Sequence, residues 1–278
     1  EETTVGLYKT EDDIGTSYYF RGDVENNYVY FAGFYWRIIR INGDGSIRMI
    51  YDGTSAHANN EASTDRQIGT SAYNTNSNDN AYVGYMFGTA GSSTYEATHA
   101  NTNDSTIKTY LDNWYNNNIK GTTDEQYVAD AIYCNDRTRV TDSTQMSALN
   151  SSFGLTATGE GYGTKVTYYG FLNRTAGDNS SITPSLKCEQ LDDKFTKSSS
   201  LGNGKLDNPI GLITTDEMVY AGSYLYMDET SVNDETYLYN GSNWYWSMSP
   251  FDFRDGLAFV GGGDRGAIGD GGYVDLIN

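Results

Sequence analysis

Residues 34–51 read Phe-Tyr-Trp-Arg-Ile-Ile-Arg-Ile-Asn-Gly-Asp-Gly-Ser-Ile-Arg-Met-Ile-Tyr. Two runs of aromatic and β-branched residues flank Asn42-Gly43-Asp44-Gly45, and Asn-Gly and Asp-Gly steps supply the positive φ that tight hairpin turns require. A β-hairpin is therefore expected here. In the first run Trp36, Ile38 and Arg40 share one face while Arg37, Ile39 and Ile41 share the other. Apolar residues on both faces predict a central strand covered on both sides. Upstream, Tyr18-Tyr-Phe-Arg21 and Tyr28-Val-Tyr-Phe31 have the same character, so residues 18–51 read as successive β-strands separated by turns.

Beyond this sheet the composition changes. Residues 52–103 are rich in Ser, Thr, Asn, Ala and Gly around one apolar island, Tyr82-Val-Gly-Tyr-Met-Phe87. They read as long loops laid over a sheet, because aromatic residues recur at Tyr73, Tyr82, Tyr85 and Tyr95. Ser105 is a helix cap preceding Ile107, Leu111, Trp114 and Tyr115 at helical spacing, with an Asn-rich stop at 116–118. Thr123 with Gln126 forms a capping-box pattern that predicts a second helix through Tyr127, Val128, Ala131 and Ile132. Residues 135–208 read as coil with short strands. Ile210-Gly-Leu-Ile213 reads as a strand, and Thr214 with Glu217 as a further capping box leading into Met218, Val219 and Ala221. The expected class is α+β: short twisted antiparallel strands, two to three helices and long irregular loops, in a single domain over 1–278. No repeat with a solenoid or propeller period is visible.

Composition narrows the function. The chain holds 37 acidic and 18 basic residues, for a net charge of −19. Phosphate backbones and anionic lipid would repel it, so no nucleic-acid partner is expected. No apolar run approaches the roughly 18–20 residues of a membrane span, so no membrane insertion by this segment is expected either. Cys134 and Cys188 are the two cysteines. They lie in polar sequence with no CxxC and no histidine cluster, which argues against zinc and leaves a disulfide or two separate thiols. A disulfide would favour an extracellular location. His57 and His99, the two histidines, sit in Ala-flanked stretches that read as surface loops. No nucleophile elbow, HExxH or phosphate loop is present, and no enzymatic activity is expected.

The last 28 residues differ from the rest. Lys, Glu, Gln, Met and Trp supply 34 residues, all within 1–250, whereas about four would be expected in 251–278 at that density. These five are the amino acids that codons ending in a pyrimidine cannot encode. Diversity-generating retroelements rewrite adenines in such codons and sample the other fifteen, so segment 251–278 resembles the variable region of a retroelement target protein. Together with Trp36-Arg-Ile-Ile-Arg-Ile-Asn-Gly-Asp-Gly, Tyr82-Val-Gly-Tyr-Met-Phe, Cys134-Asn-Asp-Arg and Trp244-Tyr-Trp-Ser-Met-Ser-Pro250, the chain resembles secreted or pilin-like surface proteins of gut Firmicutes. Those proteins end in a C-type-lectin-like domain.

The resemblance implies an adhesin-like ligand-binding protein, extracellular, at the cell surface or pilus-associated, whose partner is a protein or glycan on another cell or host surface. A fixed-sequence pilin-like structural subunit is the alternative. It implies frame positions at Trp244, Trp246, Pro250, Phe253, Ala258, Val260, Gly266, Ile268 and Val274. Displayed, ligand-binding positions would be Asp252, Arg254, Asp255, Gly256, Leu257, Phe259, Gly261, Gly263, Asp264, Arg265, Ala267, Asp270, Tyr273 and Asp275. No cofactor is implied, although Asp252, Asp255, Asp264, Asp270 and Asp275 could offer hard oxygen ligands to Ca2+. The closing strand usual in that family does not follow the segment.

Overall fold

The structure, a computed structural model, describes residues 5–175, 182–225, 235–241, 243–269 and 272–276. Five strands come first: β1 (Gly6–Glu11), β2 (Thr16–Arg21), β3 (Tyr28–Phe31), β4 (Phe34–Ile41) and β5 (Ile47–Gly53). Short elements follow: β6 (Met86–Phe87), α1 (Tyr95–Thr98), β7 (Asn103–Asp104), α2 (Thr106–Asn118), β8 (Tyr133–Cys134), α3 (Ser143–Phe153), β9 (Thr167–Tyr168), α4 (Gly170–Thr175), β10 (Lys194–Phe195) and α5 (Thr215–Ala221). The chain ends in β11 (Tyr245–Arg254), β12 (Leu257–Asp264) and β13 (Ala267–Gly269). It is a mixed α/β fold with antiparallel sheets and five helices among the described residues.

The first sheet is centred on β4. β5 pairs along one edge from Tyr35–Gly53 to Ile41–Ile47, so β3 and β2 divide the other edge. Between them Asn27 completes the ladder: its carbonyl accepts from Ile38 N at 2.7 Å, and its side-chain amide donates to the Ile38 carbonyl. The expected hairpin forms, with a looser turn than a two-residue one. Gly45 N donates to the Asn42 carbonyl, Asn42 N donates to the Ser46 carbonyl, and only Gly45 takes positive φ (86°). This is a three-residue type I loop closed by a left-handed residue.

The second sheet has the order β13-β12-β11-β9 and is antiparallel throughout. It lies between two apolar clusters. Trp246, Met248, Phe253, Ala258 and Val260 point into one cluster with Tyr73, Tyr85 and Leu111; Phe251, Phe259 and Ile268 point into the other with Ile39, Phe171 and Met218. Dual-faced burial explains the apolar density of Trp244–Pro250.

Two helices follow their caps. Ser105 Oγ accepts from Lys108 N at the start of α2, and Thr214 and Glu217 form a reciprocal capping box at α5. The helix expected from Thr123 does not form. Gln126 donates to the Thr123 carbonyl, a single 3₁₀ turn covers Glu125–Tyr127, and Val128 is already extended, leading towards β8. Local capping thus gives way to the need to deliver Cys134 to its partner. A helix not expected from the sequence, α3, is capped by Asp142 and ends on Gly154 in the left-handed conformation. Cys134 and Cys188 form a disulfide. Residues 54–85 contain no strand and only 3₁₀ turns, yet Tyr73 and Tyr85 are fully buried, so this stretch is a packed covering rather than a linker. Among the described residues no helix is long and apolar enough to cross a membrane.

Candidate functional site

The C-terminal segment is built on two tight turns. Arg254 faces Leu257 across Asp255 (φ 52°) and Gly256 (φ 77°); Asp264 faces Ala267 across Arg265 (φ 49°) and Gly266 (φ 75°). Positive φ at both central residues is the type I′ geometry matching strand twist, and Asp-Gly is among its preferred sequences. The end of the segment is tied down without a further long strand. Asn74 N donates to the Val274 carbonyl, Val274 N to the Ala258 carbonyl, and Ala258 N to the Ser77 carbonyl. Asn74 and Ser77 lie far away in sequence, in a polar loop that offers no local signal of this task.

The structure divides the displayed positions read from the sequence into three groups. Asp252, Phe259, Gly261, Gly263, Asp264 and Ala267 are buried. Arg254, Leu257 and Arg265 are partly exposed, and Asp255, Gly256, Tyr273 and Asp275 are exposed. Asp270 lies outside the described residues. Of the frame positions, Trp246, Pro250, Phe253, Ala258, Val260, Gly266, Ile268 and Val274 are all buried, and Trp244 partly so.

Burial of the glycines has a steric cause. A Cβ on Gly263 would meet the Tyr245 ring at 2.1 Å, and one on Gly261 the Thr215 methyl at 2.7 Å. These two glycines permit close approach between layers rather than loop freedom.

Four of the expected positions converge. Arg254 pairs with Asp252 and its guanidinium lies 3.8 Å from the Phe259 ring centroid; the Tyr273 ring meets Phe259 edge-on at 5.0 Å. Asp264 and Arg265, 3.8 Å apart, lie at the other end of β12, roughly 17 Å from Phe259 at strand rise. The set therefore forms two separate patches. The first combines a cation, a carboxylate and an exposed phenol beside the Asp255-Gly256 turn. Asp275 accepts from Ser77 Oγ at 3.2 Å. Burial, with a smaller contribution from the Asp252 carboxylate, pushes the Tyr168 hydroxyl up to about 12.

Among the described residues the tail aspartates do not gather. Among the described residues, one group of three carboxylates comes within ion-sharing reach, Asp104, Asp112 and Asp207. Lys108 Nζ already sits among them at 3.2, 3.0 and 3.0 Å. Burial alone would lower the Lys108 pKa, but Asp207 and Asp112 outweigh it and raise the value.

Both histidines are buried, contrary to the surface-loop reading, because each is an anchor for its loop. His57 is clamped between Glu61 (2.9 Å) and Asp65 (3.0 Å). Burial draws its pKa down, yet the two carboxylates prevail and raise it. His99 bonds the Gly161 carbonyl through Nε2, and burial next to Arg137 holds it neutral, well below the usual histidine range. No family model, curated protein or solved structure matches the chain.

Proposed function

We propose that this chain is an extracellular, adhesin-like ligand-binding protein, with a C-type-lectin-like scaffold and a binding surface at the Asp255-Gly256 end of its C-terminal hairpin. The observation carrying this reading is the contrast within one hairpin. β11 and β12 are clamped between two cores, while Arg254, Asp255, Gly256 and Leu257 emerge with Tyr273 beside them. A held frame with a small mixed-charge and aromatic tip lowers the ordering cost of binding. Tyr and Arg are also the residues most enriched in binding hot spots. The absence of Lys, Glu, Gln, Met and Trp from 251–278 supports a diversified segment. The disulfide is compatible with an oxidising compartment. The ligand is a protein or glycan, and calcium is not required at the tip.

The test is a binding screen of the wild-type chain against glycan and cell-surface protein arrays, repeated with Tyr273→Ala and with Asp255→Lys. Loss of every specific signal at unchanged melting temperature is expected. Retention of all signals by both variants would move the surface elsewhere. Sequencing the locus in related strains addresses diversification separately. Substitutions confined to adenine-derived codons within 251–278 are expected; an even spread over 1–250 overturns that part.

A second reading, a self-assembling pilin-like subunit, draws on β1. It ends the first sheet, and Leu7 and Tyr8 are exposed on it, with Val5 exposed just before it. Such edge strands pair readily with a second copy. Concentration-dependent filaments in sedimentation would favour this reading; a monomer at all concentrations would exclude it.

A further inference from the structure

A cavity of about 550 Å³ lies between β4–β5, helix α2 and residues 209–213, where the strand expected at Ile210–Ile213 does not form. Protein interiors pack with few voids larger than a water molecule, whereas ligand sites span roughly 300–1,000 Å³. Trp36, Met49, Tyr51 and Trp114, on its walls, belong to neither apolar core cluster among the described residues. All four tryptophans of the chain (Trp36, Trp114, Trp244 and Trp246) line it.

The walls define what would fit. Their polar atoms are turned into the backbone: Trp36 Nε1 donates to the Phe31 carbonyl, Tyr110 Oη to Ile68, Tyr133 Oη to Pro209 and Trp246 Nε1 to Ser71. What remains for an occupant is ring and aliphatic surface. Each charged residue of the lining has an ion-pair partner. Asp52 takes Arg37 at 3.3 Å and Arg66 at 2.7 Å, and Arg48 pairs with Glu217 over the Tyr133 ring.

We infer that this cavity is a second ligand site, distinct from the hairpin tip, for an uncharged, apolar, ring-containing molecule. The aromatic walls favour rings, since aromatic pairs gain beyond area burial alone.

The test uses the full chain and N-phenyl-1-naphthylamine, a neutral dye that brightens in apolar sites and accepts tryptophan emission. Saturable binding of one dye per chain, with energy transfer from the tryptophans, is expected. Val128→Trp and Ala129→Trp each add bulk to the cavity wall, and at least one should retain the wild-type circular dichroism and melting temperature. Dye binding should fall at least ten-fold in such a folded variant and stay unchanged in Tyr273→Ala, which separates this site from the tip. Absence of saturable dye binding, or full binding in folded occluding variants, overturns the site.

Discussion

The two main sheets use the same turn chemistry and are buried in different ways. β3–β4 turns through Ala32 (φ 53°) and Gly33 (φ 86°), and β11–β12 through Asp255 and Gly256, both with two left-handed residues. The first sheet sets Ile39 into a core but leaves Trp36, Met49 and Tyr51 on a cavity wall. The second is packed on both faces. Turn residues therefore specify that a hairpin forms, and side-chain alternation against the rest of the molecule specifies how deeply it is held.

The difference can be broken most forcefully in the second sheet. Phe253→Ala, at a fully buried site, is expected to cost about 3–5 kcal/mol in urea unfolding. Trp36→Ala, at the cavity wall, is expected to cost about 2 kcal/mol, because the ring is only partly buried and its loss enlarges an existing space. Equal costs would mean that the two sheets are held alike.

Smaller effects sharpen the contrast at the loops. His57→Gln should cost about 1 kcal/mol near pH 6. The sign follows from the shifts. The raised His57 pKa gives stability that is complete below the unfolded value near 6.5 and is lost as pH rises through the folded one. Glu61 and Asp65 are lowered, chiefly by their hydrogen bonds to His57, so their share is present above about pH 4 and lost as pH falls. Thermal melts from pH 4 to 9 should show the variant converging on wild type at the alkaline end; a constant gap would rule out the charged clamp. Asp255→Asn is expected to shift stability by less than about 0.5 kcal/mol, since Asn tolerates the left-handed region and the position is exposed. Its effect belongs to ligand binding, read on the same arrays.

Much of the first sheet was legible because its signals are local. Asn42–Gly45 marked the β4–β5 turn, and Ser105 and Thr214 marked helix starts. Where local signals compete with distant ones, the reading failed. Thr123–Gln126 carries a capping pattern, yet the chain there runs extended towards the disulfide. Met146, Leu149 and Phe153 stand at helical spacing after Asp142 and mark α3, within a polar stretch that otherwise reads as coil. The candidate site was legible in position and only partly in exposure. Glycine composition alone does not distinguish a residue that frees a loop from one that admits a neighbour's ring. At Gly263 the second reason holds, because Tyr245 occupies the space a side chain would need. The cavity was not legible, since its walls come from seven stretches between residues 29 and 246 whose proximity no periodicity encodes.

One pairing carries a kinetic consequence. β1 to β5 pair with strands close by along the chain, whereas β11 must find β9, with Asp252 opposite Tyr168. Ring closure over so many residues is entropically slow, and contacts distant in sequence set the pace of folding. Amides of the first sheet should gain protection before those of Thr167 and Phe253 in pulsed hydrogen exchange during refolding. The hairpin tip would then be the last part of the molecule to acquire its shape, and any slow step in folding would delay binding competence more than compaction.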